Sequence, residues 1–148
     1  MLRLVTISLN PGRVRIQRRI FPTLEVFEAT GGCTNLDYRQ VCIPETYRRL
    51  ALWGVEEGLD RKTVVMQDDV WMPHGGGLEG YVDSFDTPLL VFGTTEADGV
   101  VVPKAFSASP EIWQALTAVW DGETRIGPAW MPLIEQYGTV LNVTRNIG

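Results

Sequence analysis

The stretch Thr63 to Trp71, TVVMQDDVW, sets two adjacent carboxylates at the end of a short apolar run. In an extended chain successive side chains point to opposite faces, so Asp68 and Asp69 diverge. Deep burial of either without a partner is costly. At a strand end both can escape burial while the strand holds them rigidly. A hard divalent cation, Mg²⁺ or Mn²⁺, takes carboxylate oxygens and keeps positions open for phosphate oxygens. A diphosphate leaving group gains negative charge as its bond breaks, and a cation neutralises it. The competing structural role for either aspartate is a cap on the following turn. His74, the single histidine, follows on the loop MPHGGG, where it could ligate the same metal or simply be exposed.

Arg13 follows the first strand, and its guanidinium could hold a diphosphate in a forked geometry. Arg15, Arg18 and Arg19 read as the solvated face of a helix. Thr6, Ser8 and Asn10 could contact a base or ribose, with Asn10 equally suited to cap a helix. Gly75 to Gly77 could form a lid. They follow no strand-to-helix junction, which argues against a phosphate-cradling loop. Asp83, Asp86 and Glu135 are carboxylates that could serve as a general base toward a hydroxyl. Trp71, Trp113, Trp120 and Trp130 could stack on a ligand ring, but helical spacing places most of them in a core.

The elements that must position these groups follow from pattern. Leu2 to Leu9 is a strand, and Asn10-Pro11 opens a helix that stops before Pro22. Leu24 to Ala29 is a second strand, and Thr34 to Ile43 a loop. Pro44 opens a helix with Tyr47, Leu50, Ala51 and Val55 on one face, ending near Gly58. Thr63 to Met66 is apolar on both faces, as a parallel strand covered by helices should be. Trp71 to Pro88 reads as loop. Leu89 to Phe92 and Gly99 to Val102 are strands, and helices open at Ser109-Pro110 and at Pro128. Thr139 to Val143 is a last strand. This order predicts an α/β fold whose first half is a parallel sheet. Ligands of such sheets sit beyond the C-terminal strand ends, where Gln67, Asp68 and Asp69 fall, with Ser8, Asn10 and Arg13 alongside.

The composition fits this picture. A chain of 148 residues, 45% apolar and 21% charged, has the size and balance of one ordinary globular domain. Its net charge of −5 argues against broad nucleic-acid binding. No apolar run approaches the roughly 20 residues of a membrane span. The N-terminus lacks the basic region and cleavage site of a signal peptide, which leads to the expectation of a cytoplasmic protein. Cys33 and Cys42 have neither CxxC nor zinc-site spacing and read as reduced thiols.

VVMQDDVWM resembles the (I/L/V)(L/V)(E/Q)DDV segment of glycosyltransferases with the GT-A fold, especially the lipooligosaccharide galactosyltransferase type and small phage-encoded relatives. VTISLNPGRVRIQRRI resembles their first strand and arginine-bearing helix. PETYRRLALWGVEEGLDRKTVVMQDDV resembles the helix leading to the acidic strand. GVVVPKAFSASPEIWQAL resembles the segment that builds the acceptor side, and VLNVTRNIG a closing strand. The resemblance implies a single-domain α/β, GT-A-like (Rossmann-like) mixed sheet flanked by helices. A nucleotide-binding half covers about residues 1–72 and an acceptor half about residues 73–148. It implies transfer of a sugar from a nucleoside diphosphate sugar, a UDP-sugar first, to a protein, glycan or modified-base acceptor, assisted by Mn²⁺ or Mg²⁺. Asp69, then Asp68 and His74, would hold the metal. Thr6, Ser8, Asn10, Arg13, Gln67 and Asp68 would hold the nucleotide. The sequence departs from the pattern where Gln67 replaces a glutamate, where Asn146 stands for a histidine, and in its short length. The departures favour the alternative of an inactive GT-A-like domain kept for binding or structure. A nucleotide-binding regulator unrelated to sugars is a third reading.

Overall fold

The computed structural model describes residues 2–29, 43–71, 77–97, 100–141 and 144–146. The chain opens with β1 (Arg3–Ser8) and turns at once into α1 (Pro11–Ile20). The turn is written in Asn10 and Pro11. The Asn10 side chain accepts from the Gly12 amide at 2.9 Å, and proline occupies a first-turn position that needs no donor. There follow β2 (Glu25–Glu28), α2 (Ile43–Glu57), β3 (Thr63–Gln67), β4 (Val70–Trp71) and α3 (Leu78–Asp83). The remainder is β5 (Leu89–Ala97), β6 (Val100–Ala108), α4 (Pro110–Val119), α5 (Ile126–Tyr137), β7 (Gly138–Val140) and β8 (Arg145–Asn146).

Six strands form one mixed sheet in the order β2-β1-β3-β6-β5-β7, and β4 pairs with β8 in a small antiparallel ribbon. β1 is parallel to both β2 and β3. β6 is antiparallel to β3 and to β5, and β7 is parallel to β5. Strands from before residue 72 and from after it therefore share a single sheet.

Strand alternation divides the core in two. Val5, Ile7, Val65, Phe106 and Ala108 face one side, against Tyr47, Leu50 and Ala51 of α2, Trp113 of α4 and Trp130 of α5. Leu4, Val64, Met66 and Ala105 face the other, with Phe21, Leu78 and Val82. Burying each valine, leucine, isoleucine, methionine or phenylalanine among them contributes roughly 1.5–3 kcal/mol. The tryptophans expected in the core are there: Trp113, Trp120 and Trp130 surround Phe106 at ring-centroid distances of 5.6, 6.0 and 5.7 Å. Among the described residues no helix is long and apolar enough to cross a membrane.

Several expectations need correction. The presumed loop from Trp71 to Pro88 contains β4 at its start and α3 within it. Val55 is exposed, and Gly54 takes its place on the buried face of α2 because the backbone there lies directly on Trp113. The two strands after Pro88 are nine residues each, longer than their apolar cores suggest. They pair with each other from Leu89–Ala108 to Ala97–Val100, with register shifts around Gly93, and the ladder carries the polar residues of both. The last strand is shorter than expected and ends at Val140. Cys33, Cys42, His74 and Gly75–Gly76 lie outside the described residues.

Candidate functional site at the C-terminal end of β3

β3 carries its chain to the sheet edge at Gln67, and Asp68 and Asp69 form the turn into β4. The same edge holds the β1–α1 turn, because β1 and β3 run parallel with Ile7 opposite Gln67. It also holds the middle of β6. That strand is antiparallel to β3, so the residues preceding Ala105, the partner of Met66, lie level with the end of β3.

Asp68 has no exposed surface. Its Oδ2 accepts from the Leu9 amide at 2.7 Å and the Asn10 amide at 2.6 Å. Arg13 stands 3.9 Å from its Oδ1. Burial raises its pKa above the ordinary carboxylate value. The Asn10 and Leu9 amides and the Arg13 charge pull it down, and neighbouring Asp69 pushes it up. Asp68 is thus the clamp of the β1–α1 turn, a turn before it in sequence and not the one after it.

Asp69, the second residue of the turn, reaches the strand on the other side of β3. Its Oδ2 accepts from the Lys104 ammonium of β6 at 2.6 Å, and the two side chains keep only 20% and 11% of their surface. Oδ1 of Asp68 and Oδ1 of Asp69 are both buried with no hydrogen-bond partner among the described residues. Two carboxylates and two cationic side chains converge here, and each carboxylate has one oxygen engaged and one left over.

A second layer fixes this arrangement. Gln17, fully buried on α1, accepts from the Thr6 hydroxyl at 2.5 Å and donates to the carbonyls of Gln67 and Val70, each at 2.8 Å. One side chain therefore ties α1 to β1 and to both ends of the aspartate turn. The Gln67 side chain donates to the Tyr47 hydroxyl at 3.0 Å, which donates to the Pro103 carbonyl at 3.4 Å. Loss of a buried partner in such a set leaves groups unsatisfied at about 1–3 kcal/mol each.

The edge brings together Ser8, Asn10, Arg13, Gln67, Asp68 and Asp69, with Thr6 just behind, its hydroxyl spent on Gln17. It does not bring Asp83, Asp86 or Glu135. β5 runs parallel to β3 through β6, so Asp86, just ahead of β5, lies at the opposite edge. Arg61, just ahead of β3, donates to the carbonyls of Val82 and Phe85 and fastens Asp83 there as well. The end of α5 joins them: Thr87 donates to the Tyr137 carbonyl at 2.8 Å, and Gly138 sits opposite Leu89. About 16 Å of strand separates the two edges. These three exposed carboxylates are therefore not placed to act beside Asp69. Glu28, which ends β2 opposite Ser8, is a carboxylate on the near edge that the sequence did not single out. Lys104, Gln17 and Tyr47 were missed too. Gln17 was signalled in retrospect by being a polar residue on the apolar face of α1 beside Val14.

No group of three or more His, Cys, Asp or Glu side chains able to hold a metal is found among the described residues. The two leftover carboxylate oxygens suit a cation, but Asp69 as arranged already has one in Lys104. A hard divalent ion needs about six oxygen ligands, and this pair, with one carboxylate clamped to backbone amides, does not fit it while Lys104 stays in place. No family model and no curated protein sequence matches the chain.

Proposed function

We propose that the chain is a glycosyltransferase that moves a sugar from a nucleoside diphosphate sugar, a UDP-sugar first, to a hydroxyl or amine acceptor. One observation carries the reading: two adjacent aspartates at the C-terminal end of a central parallel strand meet the β1–α1 turn, Arg13 and Lys104. Open α/β sheets bind their ligands at this edge. A mixed sheet flanked by helices supports a GT-A-like arrangement, with the β4–β8 ribbon beside the aspartates.

In the transfer, the bond from the sugar's anomeric carbon to the diphosphate breaks and its electron pair leaves with the diphosphate. The acceptor's lone pair makes the new bond, and its proton passes to a base. Positive charge near the leaving group lowers the barrier, since the charge there grows as the bond breaks. Arg13 and Lys104 are the cations in position. Mn²⁺ or Mg²⁺ at Asp69 and Asp68 would supply further charge, but the carboxylates as arranged, with Lys104 on Asp69, do not favour it. Glu28 is the base candidate on the near edge, in place of Asp83, Asp86 and Glu135.

Calorimetric titration with UDP-, GDP-, dTDP- and CMP-sugars, with and without Mn²⁺, tests the reading on the wild type and Asp69→Asn. Binding of one nucleotide class that Asp69→Asn weakens is expected. Failure of every nucleotide to bind would turn the conclusion to the second reading, a domain that keeps the fold for binding or structure. That reading is favoured by the engagement of both aspartates with the protein itself, Asp68 with two amides and Asp69 with Lys104.

A further inference from the structure

We propose that Lys104 is a built-in counter-cation that excludes a divalent ion from Asp69 and meets the donor's diphosphate in its place, an inference that rests on the nucleotide-binding reading above. The ammonium lies 2.6 Å from Asp69 Oδ2, the distance of a direct charge-assisted hydrogen bond. A divalent ion bound to the same oxygen would sit within contact distance of that ammonium, where like charges repel strongly in a partly buried setting. Lys104 is not a mobile surface lysine that could easily withdraw. It projects from the interior of β6, its side chain is 11% exposed, and the flanking Pro103 and Ala105 are buried. The other carboxylate offers little to a competing metal, because Asp68 Oδ2 is committed to two backbone amides. Its buried Oδ1, unpartnered among the described residues, turns toward Arg13 at 3.9 Å. Lys104, held on Asp69, and the more exposed Arg13, 3.9 Å from Asp68, thus flank the edge where the diphosphate would lie. Their carboxylates orient them more than they attract a metal.

The experiment uses the full chain in two arms. In the first, Mn²⁺ binding is followed by electron paramagnetic resonance without any nucleotide, on wild type, Asp69→Asn, Lys104→Met and the double variant Asp69→Asn with Lys104→Met. The wild type should bind Mn²⁺ no better than Asp69→Asn. Lys104→Met should bind it at least about tenfold more tightly, and the double variant should lose that gain. Equal Mn²⁺ binding by wild type and Lys104→Met overturns the exclusion. In the second arm, UDP is titrated calorimetrically with EDTA and then with Mn²⁺. The wild type should bind equally well in both, Lys104→Met should lose about tenfold or more in EDTA, and Lys104→Arg should retain most of the affinity. A Mn²⁺ requirement in the wild type overturns the proposal, and this result needs no variant that might fail to fold. If UDP does not bind under any condition, the nucleotide reading fails and the diphosphate role with it. The first arm then decides by itself whether Lys104 keeps metal out.

Discussion

Asp68 is ionisable, has no exposed surface and holds two amides, so its protonation is coupled to the turn it clamps. Burial raises its pKa in the folded protein above the unfolded value. The folded state therefore holds the proton more tightly than the unfolded state does. Stability associated with this group is greatest below the unfolded pKa and is lost as pH rises through the folded one. Arg13 and Asp69 are the charged groups facing it, and they act in opposite directions. In Asp68→Asn an amide oxygen can still accept from Leu9 and Asn10, but the titration is gone. Urea denaturation followed from acid to neutral pH should show the variant gaining on the wild type as pH rises across that interval. A difference that does not vary with pH would show that the carboxylate is not held in the environment described. At this scale the sequence revealed the aspartates and the strand end that carries them. It could not reveal that Asp68 faces backward to Leu9 and Asn10, or that Lys104 faces Asp69 from a distant strand. Both depend on which strands become neighbours, and spacing along the chain is silent about that.

Gly54 shows how the elements constrain one another. It lies within α2, where alanine would be favoured over glycine by about 1 kcal/mol on helix propensity alone. A Cβ at this position would stand 2.3 Å from Trp113 Cε3, and Trp113 on α4 is fully buried and cannot swing away. Overpacking of this kind costs about 1–3 kcal/mol and outweighs the propensity gain. Gly54→Ala should therefore lower the melting temperature in a calorimetric scan, and a rise would mean that α2 and α4 are not in such close contact. Helices announced by a capping residue and proline, such as α1 at Asn10-Pro11 and α4 at Ser109-Pro110, were legible in the sequence. α3 was not, because its start at Gly77 carries no side-chain cap and it is only six residues long. The second halves of β5, residues 93–97, and of β6, residues 103–108, were missed for a different reason. Gly93, Glu96, Pro103 and Lys104 have weak strand character, and the conformation of these segments comes from the pairing of β5 with β6. That Asp83, Asp86 and Glu135 lie away from Asp69 was hidden from the sequence for the same topological reason. Each follows or precedes an apolar segment convincingly, but the direction of β5 and the end of α5 send all three to the other edge.

The whole molecule closes its candidate site with its last described residues. β8 returns to pair with β4, setting Asn146 opposite Val70 and Arg145 opposite Trp71, immediately after the aspartates. The return is seated by Thr144, which packs so tightly on β5 that a Cβ at Gly93 would lie 2.6 Å from its hydroxyl and 3.0 Å from its methyl. Gly93→Ala should push residues 144–146 off this seat. Hydrogen exchange should then quicken at Val70 and Trp71 while Val64 and Val65, inside the main sheet, keep their protection. Unchanged exchange in β4 would show that the return strand does not depend on that contact. The pairing also has a consequence for synthesis. Translation delivers β1, β2 and β3 first, and these three parallel strands are bonded to one another with no later strand between them. Lys104 and the partner of β4 arrive only later, the latter after about half the protein has been added. A ribosome paused between Trp71 and Lys104 would therefore hold a nascent chain with Asp69 lacking its counter-charge and the open edge of β3 lacking β6. That is a hydrogen-bonding template which a chaperone or a neighbouring nascent chain could occupy before the protein's own strand does.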